Sequence, residues 1–400
     1  MDHLAEIVLW GAVLGLVHSY LFYPLLMRWL ARNKSGNPIR YGMEEELPEV
    51  SVIMSVYNEE RVIRQKLDSL MAVRYPRHRW RILIGSDCSS DRTNAIISEY
   101  AERHPELHFF PFRERRGKPI VVNNLVEEVA KLVALSPNHL FLFTDASVIL
   151  AEETVWNLVR HFKNPAIFLV DANMQTTGMQ SRGISRSERQ YLGAEVRLKQ
   201  YESLVWGKMI GPFGGCYALR SNYYEPVPAG YLVDDFYITM RAYEKGGQAI
   251  NELNALCYEG LSHDIREEYR RKSRISAGNF KNLATFKHLL WPPHSPLAFG
   301  FLSHKVLRWF GPFFIIFVLI SCGFLAWRGN IFYRGLLFLL GLWFIGTPLV
   351  DGLLQRWSIN WLPLRSITYF NNMNLALLEG FFKYLKGVKS NVWQPPRRDG

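Results

Sequence analysis

From residue 50 to about residue 150 the chain alternates between short unbroken apolar runs and stretches with helical spacing. The runs VSVIMSV (50–56), WRILIGS (80–86), LHFFPF (107–112) and LFLFT (140–144) are rich in β-branched and aromatic residues. Such runs, bounded by turn residues, predict buried strands. Between them Val62, Leu67, Leu70 and Met71 fall on one side of 59–73, and Val122, Leu125, Val129 and Leu132 on one side of 119–135. A third helix is predicted over 91–101. Strand, helix and strand repeated at this spacing predict an α/β domain with a mainly parallel sheet covered on both faces.

Elsewhere the pattern changes period and length. Residues 4–30 carry only Glu6 and His18 before Arg28, and 306–327 and 332–354 are two further apolar runs joined by a turn at 328–330. These predict an N-terminal transmembrane helix over 1–30 and a transmembrane hairpin over 306–354. The first run is too long for a signal peptide and has neither the basic start nor the small-residue cleavage site of one. Arg28, Arg32, Lys34 and Arg40 follow it and Asp2 leads it, so the positive-inside rule puts the N-terminus outside and the following domain in the cytoplasm. Residues 281–305, with Trp291 before two prolines, read as interfacial helices. The run 367–385 holds Asn371, Asn372, Asn374 and Glu379 and precedes Lys386, Lys389, Arg397 and Arg398. A full span there would export a basic tail, so 361–400 is expected to form an interfacial or re-entrant helix and a basic cytoplasmic tail.

Composition narrows the class. With 400 residues, 48% hydrophobic and 14% aromatic, the chain can bury real cores and is not a disordered protein. A net charge of +11 suits a nucleic acid, an anionic membrane or a phosphate-bearing substrate. The basic residues cluster beside the apolar spans and not along an aromatic-interleaved groove, so nucleic acid is not an expected partner. Cys88, Cys216, Cys257 and Cys322 lie far apart with no C-x-x-C pair, which indicates neither a zinc site nor a disulfide framework.

In parallel sheets ligands bind beyond the carboxyl ends of the strands. Those ends carry Asn58 and Glu59, then Asp87, then Asp145. Each alone also suits a turn or a helix cap, as Asp91 before the third helix does. Together they crowd negative charge at one rim, which a divalent cation and a phosphate-bearing ligand would balance.

With these residues the chain resembles the inverting family-2 nucleotide-sugar glycosyltransferases, in the membrane-integrated branch of cellulose, chitin and hyaluronan synthases. The resemblance implies a GT-A, Rossmann-like catalytic domain over 48–280, in an integral protein of the bacterial inner or plasma membrane. SVIMSVYNEE and GSDCSSDRT resemble the family's first strand end and nucleobase segment, which implies a uridine pocket of Asn58, Glu59 and Asp87. RRGKPIVVNN is similar to a Gly-Lys segment, implying nucleotide or diphosphate contacts from Lys118 and Asn123. LFLFTDASVIL matches the Asp-x-Asp position, implying Asp145 as ligand to Mg2+ or Mn2+, with Ser147 in place of the second acid.

GPFGGCYALR (211–220) resembles the glycine-rich acceptor loop, pointing to Gly214 and Gly215, and YLVDDFYITMRAYEKGG resembles the Glu-Asp segment. That places Asp235 as general base and Asp234 beside the acceptor. An acceptor hydroxyl has a pKa far above 7, so a carboxylate must take its proton during attack on the anomeric carbon. RRKSRISAGN is the best register for the family's Gln-x-x-Arg-Trp motif, with Arg271 toward the acceptor, Arg274 toward the diphosphate and Ile275 where the tryptophan stands. The basic residues 270–274 read equally as a membrane-facing surface.

The expected activity is transfer from a UDP-sugar to a glycan or lipid-linked acceptor at the bilayer, as polymer synthesis or single addition. The interfacial helices, a dimer or other homo-oligomer, or a partner subunit would complete a channel that three spans leave short. A sugar-nucleotide-binding scaffold is the alternative without catalysis, and the acids at 145 and 235 argue against it.

Overall fold

The computed structural model describes residues 1–42, 44–177, 184–260, 265–357, 359 and 361–387. The basic tail expected over 388–400 lies outside the described residues. The described residues divide into two compact units: 1–29, 184–195 and 265–387 form the first, and 30–177 and 196–260 the second.

The second unit is built on an eight-stranded sheet of order β3-β2-β1-β4-β7-β6-β8-β5. Its strands are β1 (Val50–Val56), β2 (Trp80–Asp87), β3 (Leu107–Phe112), β4 (Leu140–Thr144), β5 (Val148–Leu150), β6 (Ile167–Thr177), β7 (Cys216–Arg220) and β8 (Gln248–Gly260). The pairs β1–β2, β2–β3 and β1–β4 are parallel, while β7 runs antiparallel to both β4 and β6. The sheet is therefore mixed, with three parallel pairs in its first half and one more, β6–β8, in its second.

Val52, Met54, Ile82, Ile84, Leu140 and Leu142 are fully buried beside Ile63, Leu67, Leu70 and Ile97 from the covering helices. Each such side chain contributes about 1.5–3 kcal/mol on burial. Their strands carry no polar alternation because both faces are covered. The helices Ile63–Met71, Thr93–Ala101 and Lys118–Leu132 follow strands whose last residues reach one rim.

The first unit is helical. Asp2–Leu30 and Ile331–Arg356 are each long and apolar enough to cross a membrane. The run expected as a single span over 306–327 is instead divided between Pro296–Trp309 and Gly311–Trp327, which meet at a 60° bend. Pro312 explains the break, since it lacks an N–H and disfavours helical geometry at the residue before it.

Leu362–Leu385 is one continuous helix, and it packs closely on Ile265–Phe286. A Cβ at Gly380 would lie 2.5 Å from the Ser273 carbonyl oxygen, so only glycine permits this backbone approach. Buried Glu195 accepts from His304 Nε2 at 2.7 Å and Arg308 Nη1 at 2.8 Å, and also from Lys305. Asp351 and Arg365 pair at 3.2 Å. Pairing of this kind lets charge persist among apolar helices.

Candidate active site

In the second unit Lys118, Asp145, Gly214, Asp234 and Asp235 meet. Asp145 directly follows β4, and its backbone N–H donates to the Gly215 carbonyl at 3.1 Å. Lys118 opens the helix after β3 and reaches across to Asp145 Oδ1 at 2.7 Å and toward Asp234 Oδ2 at 3.8 Å. Burial disfavours the Lys118 ammonium, but Asp145 and Asp234 outweigh that and hold its pKa above the ordinary value.

Asp234 and Asp235 begin the helix Asp234–Glu244, whose unpaired N–H groups favour acids in the first turn. Burial, then the Asp234 carboxylate, push Asp235 up to about 7, against the pull of Lys118. Gly214 has φ +75°, and a Cβ there would sit 2.5 Å from Asp235 Oδ2. Glycine is thus required twice, for backbone sign and for space beside the carboxyl.

Nearby strand ends form a second group. Asn58 has φ +50°, and its Oδ1 accepts from Ser90 N at 2.8 Å while its backbone N–H donates to Ser89 Oγ at 3.1 Å. The Glu59 N–H donates to Thr93 Oγ1 at 2.8 Å. Asp87 closes β2 and accepts from Arg116 N at 2.6 Å, Gly117 N at 3.0 Å and Arg115 Nε at 3.2 Å. The Arg115 guanidinium lies over the Tyr57 ring, 3.3 Å from its centroid. Of the residues expected at the nucleobase, Asp87 thus also clamps the 115–117 segment that leads into Lys118, while Asn58 and Glu59 hold 89–93.

Asn123 uses both ends of its amide on one loop: it donates to Val227 O at 2.9 Å and accepts from Val227 N at 2.9 Å and Tyr224 OH at 2.7 Å. It holds that loop in place. Ser147, standing where the family has an acid, donates to Glu259 Oε1 at 3.0 Å. Arg271 and Arg274 belong to the first unit, on Ile265–Phe286, where Glu268 Oε2 pairs with Arg271 Nε at 3.0 Å.

Sequence reasoning missed a buried ion pair behind the glycine loop. Asp171 and Lys199 pair at 2.5 Å, and Asp171 Oδ1 also accepts from Phe213 N at 3.0 Å, the residue before Gly214. Burial raises the pKa of Asp171 and Lys199 opposes this. The available signal was a lone acid inside the apolar run AIFLVDANM (166–174).

Among the described residues no group of three or more His, Cys, Asp or Glu side chains converges as a ready metal cage. Asp145 would supply one hard oxygen ligand, a donor that suits Mg2+ or Mn2+ completed by substrate phosphates and water.

A conserved-family profile, Glycosyl transferase family 2, matches residues 51–225, the span from β1 to just past β7. Residues 51–225 thus have the sequence pattern of a family 2 glycosyltransferase domain. The probable glycosyltransferase YdaM of Bacillus subtilis is 35% identical over 115 residues, 28% of this chain and 27% of that protein. The poly-beta-1,6-N-acetyl-D-glucosamine synthase of Staphylococcus epidermidis is 25% identical over 166 residues, 38% of each. The chain thus spans between about a quarter and two fifths of the length of these two relatives.

A mannosyltransferase from Pyrobaculum calidifontis, solved with GDP-Man and Mn2+, superposes with a TM-score of 0.69 at 20% identity, covering 95% of this chain and 99% of that one. This likeness bears out the GT-A-like fold that the resemblance implied. The family 2 domain is related to those of polysaccharide synthases.

Proposed function

We propose that the protein is a membrane-bound inverting glycosyltransferase that moves a sugar from a UDP-sugar to a glycan or lipid-linked acceptor during cell-surface polysaccharide synthesis. The observation that carries this reading is the Asp235 carboxyl, pushed up to about 7 and held against Gly214 within a site that also presents Lys118 and Asp145. A base with a pKa near the working pH is suited to accept a hydroxyl proton without being idle at neutrality.

Each residue then has a task. Asp235 takes the acceptor proton as its oxygen attacks the anomeric carbon from the face opposite the diphosphate. Gly214 and Gly215 leave backbone where an acceptor sugar must approach, and Asp234 orients it. Asn58, Glu59 and Asp87 line the nucleotide pocket, and Lys118 moves its charge from Asp145 to the diphosphate. Asn123 acts through the 224–227 loop, while Arg271 and Arg274 supply further cations for the acceptor and the diphosphate. Asp145 would hold Mg2+ or Mn2+, which when bound neutralises charge on the departing nucleotide. The long apolar helices support a bilayer location with the catalytic unit cytoplasmic.

Ile275 favours a second reading of product length. Processive relatives stack an acceptor sugar on an aromatic ring at the matching position, and an aliphatic side chain there suits single addition to a lipid-linked acceptor.

The test is nucleotide release by the full chain in lipid nanodiscs, across UDP-sugars and GDP-sugars, with Mg2+ or Mn2+ and with native lipid added or withheld. Release with one donor, lost in Asp235→Asn, supports the transferase, and mass spectrometry of the product separates one addition from many. Nucleotide binding without release under every acceptor condition would favour the scaffold reading.

A further inference from the structure

Among the described residues the second unit buries two lysines completely, and they differ in one respect. Lys199 is 1% exposed and meets the Asp171 carboxylate at 2.5 Å. Lys66, on the helix Ile63–Met71, is 0% exposed. Its ammonium donates only to neutral oxygens, Thr144 Oγ1 at 2.8 Å and the Val148 carbonyl at 2.5 Å. Among the described residues no carboxylate lies within ion-pair distance of it.

A buried charge without a counter-charge costs several kcal/mol, and burial pushes the Lys66 ammonium down to about 8. An apolar residue would fill the same core more stably. The two oxygens it grips explain why a lysine stands there. They bracket the turn 145–147, one residue before it and one after.

Thr144 carries the link onward. Its hydroxyl donates to the Gly215 carbonyl at 3.0 Å, the same oxygen that accepts the Asp145 N–H at 3.1 Å. One buried ammonium therefore ties the start of the Asp145 turn, its end, and the edge of the glycine loop to a single point. Asp145 in turn acts on Lys66 electrostatically. A side chain held from below is what a first ligand needs to stay within a few tenths of an ångström of its working geometry.

We propose that Lys66 is the positioning residue of the donor site, pinning the 144–148 turn to Gly215 so that Asp145 is fixed for a nucleotide diphosphate and its metal. This rests on the donor-site reading given above and adds a residue to it. Lys66 does not touch the substrate.

Two variants test it in the full chain in nanodiscs. Lys66→Met keeps the length and the apolar stem and removes the charge, and Thr144→Val removes the middle hydroxyl and keeps the shape. Amide hydrogen exchange at 144–148 and 213–216 should speed up about tenfold or more in both, with the other strands unchanged. Affinity for UDP with Mn2+ should fall by about tenfold or more, while the unfolding midpoint of Lys66→Met does not drop.

Unchanged local exchange, or faster exchange with unchanged UDP affinity, would overturn the proposal. So would a lower midpoint with exchange raised throughout the unit, which is the signature of a merely structural lysine. Wild-type protein that binds no UDP would remove the UDP-donor reading. In that event the pinning is still decided by the exchange data alone, so the two failures can be told apart.

Discussion

Replacing Asp235 by Asn removes one proton acceptor and leaves the side-chain shape. In the folded protein burial and Asp234 raise this carboxyl from 3.8 to about 7. That rise corresponds to on the order of 4 kcal/mol between its two protonation states. The sign follows from linkage. A carboxyl with a raised folded pKa contributes stability that is complete below the unfolded value near 4 and is lost as pH rises through about 7. The amide carries no such dependence.

Asp235→Asn should therefore match the wild type near pH 4, gain stability steadily up to about pH 7, and hold a constant advantage of up to about 4 kcal/mol above it. Unfolding midpoints of the full chain in nanodiscs, measured for both proteins through that range, give the difference directly. Transfer should move the opposite way. The wild-type rate should rise with pH through about 7, as the base loses its proton. Above about pH 7 the variant should be slower by about 10²–10⁴-fold, with the gap closing at lower pH as the wild-type base takes up its proton, and with donor affinity kept. Midpoints that differ equally at all pH values would refute the raised pKa, and retained turnover would refute the role of Asp235 as base.

Gly214→Ala should reduce transfer by about tenfold or more and lower stability by about 1–3 kcal/mol, because its φ of +75° and its 2.5 Å approach to Asp235 Oδ2 both exclude a Cβ; comparing turnover and unfolding midpoints with the wild type checks both. Asp145→Ala should weaken UDP binding in Mn2+ far more than in chelator, read by calorimetry, and equal loss in both conditions would exclude a metal-linked role. Lys199→Met should cost about 3–5 kcal/mol, because it leaves the fully buried Asp171 without its cation; the loss should shrink as pH falls and Asp171 takes up a proton, measured by denaturant unfolding across pH.

The strands that frame the site were legible because their signal is local. The runs 50–56, 107–112 and 140–144 coincide with β1, β3 and β4, and 80–86 falls one residue short of the end of β2. Asp145, Asp87 and Asn58 could be singled out for the same reason, since a polar residue closing a buried strand departs from its surroundings. The bend at Phe310 was less legible: an apolar run reports burial or lipid contact but not direction, so 306–327 read as one span.

What the sequence by itself determined is the order of the first four strands and the helices between them, the apolar runs of membrane length, and the acids that close the strands of the rim. Each follows from spacing over a few residues, where backbone geometry imposes the period. Only the tertiary structure decided that β7 enters antiparallel between β4 and β6, bringing Gly214 and Gly215 beside Asp145. It alone paired Asp171 with Lys199, set the Arg115–Gly117 loop on Asp87, and put Lys66 beneath Thr144, 78 residues away. Those contacts join parts of the chain with no shared period, and a buried charge takes whichever partner the packed sheet brings within hydrogen-bonding distance.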